Sequence, residues 1–71
     1  MRERWDCEKK ARIAAPEIDA FIEDVLAVCR KHGMSIGHED SHGAFEIVRR
    51  LDAECADWLR NAHIAEPGRT Y

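Results

Sequence analysis

From Ile18 onward the apolar side chains recur at a helical interval. Ile18, Phe21, Ile22, Val25, Leu26 and Cys29 stand at offsets of 0, 3, 4, 7, 8 and 11, which lays them along one stripe of an α-helix. Pro16 suits the first turn of that helix, because its missing N–H has no intrahelical partner there. Glu17 and Asp19 sit near the positive end of the helix dipole, and Arg30, Lys31 and His32 near the negative end. Gly33 then supplies a left-handed cap. A second stripe, Leu51, Cys55, Trp58, Leu59 and Ala62, predicts another helix, N-capped by Asp52 and ending near His63 or Ile64, ahead of Pro67-Gly68. Trp58, on that stripe, is expected in the core.

Between the stripes the period changes to two. Met34, Ile36 and His38 alternate along one segment, and Phe45 and Ile47 along the next, so Met34–Glu39 and Ala44–Arg49 read as strands. Asp40, Ser41 and Gly43 are turn formers, and a hairpin with a loop of three to five residues follows. Its Ile36-His38-Phe45-Ile47 face is expected to lie under the helices. The opposite face carries Ala44, Glu46 and Val48. Residues 1–15 show no regular period and predict a frayed helix or a disordered arm. The fold expectation is thus a single small α+β domain of α-β-β-α order over residues 16–65, two amphipathic helices packed on a β-hairpin. An N-terminal arm of residues 1–15 precedes it and a tail of residues 66–71 follows.

Seventy-one residues bury only roughly 60% of the surface that the unfolded chain exposes, so such a domain is marginal without further support. The open edges of a two-stranded sheet and its partly apolar second face predict a homo-oligomer. Three cysteines, Cys7, Cys29 and Cys55, are an odd number and no disulfide framework. No segment approaches a membrane span, and the charged first fifteen residues do not read as a signal peptide. A protein of the reducing cytoplasm is expected. Residues 1–15 carry five basic and three acidic side chains, whereas residues 16–48 carry two basic and seven acidic. An acidic central unit is unsuited to general nucleic-acid binding, in which phosphate contacts dominate.

The candidate chemistry lies at the hairpin tip, His38-Glu39-Asp40-Ser41-His42-Gly43. A turn needs Asp40, Ser41 and Gly43, but not His38, Glu39 and His42. Imidazoles and carboxylates make directed hydrogen bonds to bases, riboses or backbone amides, so His38, Glu39, Asp40 and His42 form the candidate ligand site. Arg49 is added for a phosphate group. It sits at the other end of the hairpin and would reach the tip only across subunits. An alternative is zinc held by Cys29, His32, His38 and His42, which offers the right number of ligands but no common module spacing. Otherwise no cofactor is expected. A third reading presents the acidic helix residues Glu17, Asp19, Glu23 and Asp24 to a basic protein. No oxyanion hole, phosphate loop or nucleophile elbow is legible, so an enzyme is not expected.

Ile18-Asp19-x-Phe21, Val28-Cys29-Arg30-Lys31-His32-Gly33, His38-Glu39-Asp40-Ser41-His42-Gly43-Ala44-Phe45 and Trp58-Leu59 together resemble a group of small uncharacterised proteins of tailed bacteriophages and prophages. The resemblance covers about two-thirds of the chain, and the group lends no catalytic residues. It implies a phage-encoded accessory protein in the host bacterial cytoplasm, acting against host defence. Such a protein would sequester a nucleotide-like signal or bind a host protein, as an anti-CRISPR-type inhibitor does.

Overall fold

The computed structural model describes residues 2–39 and 43–67. Six elements run in the order β1 (Glu3–Asp6), β2 (Ala11–Ala14), α1 (Pro16–His32), β3 (Ser35–His38), β4 (Phe45–Val48) and α2 (Ala53–Arg60). The fold is α+β, with two antiparallel two-stranded sheets, β1-β2 and β3-β4. The expected α-β-β-α order is present from Pro16 onward. A hairpin precedes it where a helical or disordered arm was expected.

That hairpin is built from polar residues. Asp6 Oδ1 accepts hydrogen bonds from the backbone N–H of Glu8 at 2.8 Å and Lys9 at 3.3 Å, so the aspartate shapes the turn itself. Lys10 N–H then returns to the Asp6 carbonyl at 2.8 Å, with Lys10 in the left-handed region at φ 52°. The second hairpin closes the same way. Gly43 N–H donates to the Glu39 carbonyl at 3.0 Å, with φ 69° at Gly43. Lysine lacks glycine's freedom in that region and is strained by about 1–2 kcal/mol. Lys10→Gly is therefore expected to stabilise the chain by about 0.5–1 kcal/mol, after the entropy glycine adds to the unfolded state. A thermal melt reads this as an upward shift of several degrees. An unchanged or lower melting temperature counts against the strain.

The helices begin and end as their sequence signals dictate, with one exception. Pro16 opens α1, and Gly33 closes it at φ 67°. Asp52 caps α2, accepting from Glu54 N–H at 3.0 Å and Cys55 N–H at 3.2 Å. These backbone donors, Cys55 first, hold its carboxyl below the usual range, with Arg50 assisting. The exception is the end of α2, at Arg60 rather than His63 or Ile64. Residues 62–64 leave the helix because other groups claim their backbone. Arg4 takes the Ala62 carbonyl at 2.9 Å. Ile64 N–H donates to the Trp5 carbonyl at 2.8 Å, and Cys7 N–H to the Ile64 carbonyl at 2.9 Å. Asp6 and Ile64 thereby form a parallel bridge at the edge of β1.

The core is small. Ala15, Ile22, Leu26 and Cys55 are its buried apolar members, joined by buried Arg4, Asp6 and Ser35. Both helices meet β3 and each other, whereas β4 meets no element but β3 among the described residues. Gly37 lets α2 come close, since a Cβ there would stand 3.4 Å from Cys55 Sγ and 3.5 Å from Val48 Cγ2. The Ser35 hydroxyl ties the start of α2 to β3, accepting from Asp52 N–H at 2.9 Å and donating to the Arg50 carbonyl at 2.8 Å. The buried strand positions are therefore Ser35 and Gly37. This reverses the expected hairpin orientation, because Phe45 and Ile47 remain 75% and 65% exposed. Trp58 and Phe21, also expected inside, are exposed as well.

Candidate functional site

The reversed hairpin places His38 beside exposed apolar groups. His38 and Phe45 are directly opposed in the β3-β4 register, and their rings meet edge to face, with centroids 5.8 Å apart and planes at 76°. Trp58, Leu59 and Ala62 lie across from them. Together with Ile36 and Gly37 they line an open cleft of about 510 Å³. A cleft of this size with an aromatic lining and a few polar groups suits a small molecule. Its chemistry is stacking on Phe45 and Trp58 and hydrogen bonding at the His38 imidazole.

The other expected ligand residues are distributed differently. Glu39 is at the tip, where its N–H donates to the Ala44 carbonyl at 2.7 Å. Asp40 and His42 lie outside the described residues, as does Ser41. Arg49 is exposed just beyond β4. It stands four positions beyond Phe45, about 13 Å along an extended strand, so within one chain it does not line the cleft. Cys29 is half-buried in α1, whereas His32 and His38 are exposed on different elements. Among the described residues, no three histidine, cysteine or acidic side chains gather around a point where a metal would sit.

A second cavity of about 370 Å³ lies between α1, α2 and β3, with both Cys29 and Cys55 in its walls. Burial pushes the Cys55 thiol up, and the Asp52 charge adds to the shift, which favours the protonated thiol.

The acidic side chains of α1 are partly neutralised from within. Arg4, with its side chain 1% exposed, pairs with Asp19 at 2.5 Å. Arg60 holds Glu23 through Nε at 3.0 Å and Nη2 at 3.4 Å. This pairing lowers the Glu23 carboxyl below its ordinary value and raises Arg60 above its own. Glu17 and Asp24 stay exposed on that helix. The pairings were not legible from the sequence, because Arg4 fell in the irregular arm and Arg60 among the polar residues of the second helix.

No family model, curated protein or solved structure matches this chain. Among the described residues, no helix is long and apolar enough to cross a membrane.

Proposed function

We propose that this chain is a phage-encoded, non-enzymatic accessory protein of the host bacterial cytoplasm, working as a homo-oligomer and sequestering a nucleotide-like signal in the His38 cleft. The supporting observation is the exposure of Phe45 and Trp58 in one cleft with His38. Large aromatic groups at a surface groove are expensive to leave in water and mark binding surfaces. Stacking a base on an aromatic ring contributes about 1–3 kcal/mol, and every base offers a flat face. An imidazole at the rim then reads the base edge or ribose. A host protein is the other partner class for the same cleft. The nucleotide reading is favoured by the directed polar group beside the rings. The acidic-surface reading has less support, with Asp19 and Glu23 held by arginines.

Thermal denaturation with a panel of adenine and guanine mononucleotides and cyclic dinucleotides tests the proposal. A ligand at about a hundred times its Kd stabilises the native state by about 2.7 kcal/mol, which lifts Tm by roughly 10 °C or more. At least one nucleotide should do so, and His38→Ala together with Trp58→Ala should abolish the shift while the circular dichroism spectrum is kept. If no nucleotide in the panel shifts Tm, the sequestering function is refuted.

A further inference from the structure

Two observations concern β4, and a third the chain as a whole. It is an edge strand that meets no element but β3 among the described residues. Its Phe45 and Ile47 are largely exposed. The molecule is also too extended for its mass. A folded monomer of 8.2 kDa is expected to expose about 4,500 Å². This chain exposes 5583 Å², an excess of roughly 1,000 Å² over that expectation. Its radius of gyration is 13.1 Å, against about 11 Å for a compact chain of this length. The excess belongs to the chain as a whole, and a standard interface takes roughly 800 Å² of surface from each partner.

We infer that a second copy of this chain pairs with β4, antiparallel about a two-fold axis at Ile47, and that its Arg49 completes the His38 cleft. The backbone sets the direction of pairing. Glu39 donates to Ala44, so the ladder alternation makes Gly37 and Glu46 the next bonded pair. The N–H and C=O groups of Phe45 and Ile47 then point away from β3, toward a neighbour. A two-fold axis normal to the sheet places each residue opposite one on the same face, and the axial residue opposite itself. An axis at Glu46 would oppose two carboxylates. An axis at Val48 would draw on Arg50 and Leu51, where the chain has already turned toward α2 and the Arg50 carbonyl is held by Ser35. An axis at Ile47 opposes two isoleucines and sets Phe45 against the partner's Arg49.

A row then crosses the four-stranded sheet: His38, Phe45, and Arg49 of the partner subunit. The guanidinium meets the Phe45 ring at cross-strand distance, about 4.5–5.5 Å between Cβ atoms. It brings to the cleft a guanidinium, suited to the phosphate of a bound nucleotide. The role given to Arg49 rests on the proposed function. The strand pairing does not.

Cysteine cross-linking with a short bifunctional thiol reagent tests the pairing without a ligand, with the wild-type chain as the measure of background from Cys7, Cys29 and Cys55. The wild-type chain should sediment at twice its monomer mass. Ile47→Cys should cross-link to itself several-fold above background and more than Glu46→Cys, whose two copies stand diagonally to each other. Phe45→Cys and Arg49→Cys should each stay near background alone and cross-link when mixed. A monomer at every concentration, or a dimer lacking this pattern, overturns the inference. Adenosine 5′-monophosphate serves as the ligand probe. Mixing His38→Ala with Arg49→Ala chains should restore binding to about a quarter of the sites, because half the dimers are mixed and each holds one intact site. If the cysteine variants cross-link as described but the wild-type chain binds no nucleotide, the proposed function fails and the pairing stands. If it binds the probe and mixing restores nothing, the shared Arg49 site is refuted.

Discussion

Replacing Arg4 by alanine is expected to remove a large share of the stability of this protein. Its side chain is the largest fully buried one among the described residues, and it joins three parts of the fold. Nη2 reaches Asp19 on α1, and Nη1 reaches the Ala62 carbonyl beyond α2, while the residue itself lies in β1. Breaking a buried charge pair by removing one partner costs about 3–5 kcal/mol. A chain of 71 residues has roughly 4–10 kcal/mol in total. Asp19 is 27% exposed, so water relieves part of the stranded charge and the lower end of that range applies. Urea denaturation should still show a loss of about 3 kcal/mol. Arg4 is not an optimal occupant, since its buried Nε has no acceptor among the described residues. Arg4→Met combined with Asp19→Asn keeps the stem volume and leaves no unpaired charge, and should recover much of the loss. A loss below about 1 kcal/mol for Arg4→Ala would mean that the N-terminal hairpin is not integral to the fold.

That hairpin was hidden in the sequence for a physical reason. Apolar periodicity finds elements whose buried side is apolar. In β1 the buried side is Arg4 and Asp6, and the exposed member between them is Trp5. The polarity is inverted, and the turn at Lys10 uses a left-handed lysine where glycine would have announced it. The same inversion misplaced the face of the second hairpin. Ser35 and Gly37 are buried because they are small enough for α2 to approach, a steric property that a hydrophobic count does not register. The helices were legible because burial and apolarity coincide at Ile22, Leu26 and Cys55, and because Pro16, Gly33 and Asp52 mark their ends by backbone chemistry. Of the site, the sequence identified His38 through its surplus at the turn. It missed Phe45 and Trp58 as companions, because an exposed aromatic residue on an amphipathic stripe looks like a core residue. Arg49 looked remote because one chain does not fold it back toward the tip.

Leu26→Ala and Phe45→Ala should differ sharply, although both residues lie on apolar stripes. Leu26 is 5% exposed at the junction of α1, α2 and β3, in a core it shares with Ala15, Ile22 and Cys55. Its truncation should cost about 2–5 kcal/mol, because the removed methyl groups leave a void that so small a core closes only partly. That is a drop in Tm of roughly 10 °C or more, and it should not depend on protein concentration. Phe45 is 75% exposed, and the folded monomer loses little when it is trimmed, about 0.5 kcal/mol at most in dilute solution. As concentration rises and copies associate, the Phe45→Ala deficit should grow, because a residue buried only in the assembly stabilises by mass action. Melting both variants across a hundredfold range of concentration separates the two kinds of contact. A Phe45→Ala deficit that is large and independent of concentration would put this ring inside the monomer core and remove both the cleft and the paired edge. A constant loss for Leu26→Ala beside a concentration-dependent loss for Phe45→Ala would divide the apolar residues into those that fold one chain and those that hold two together.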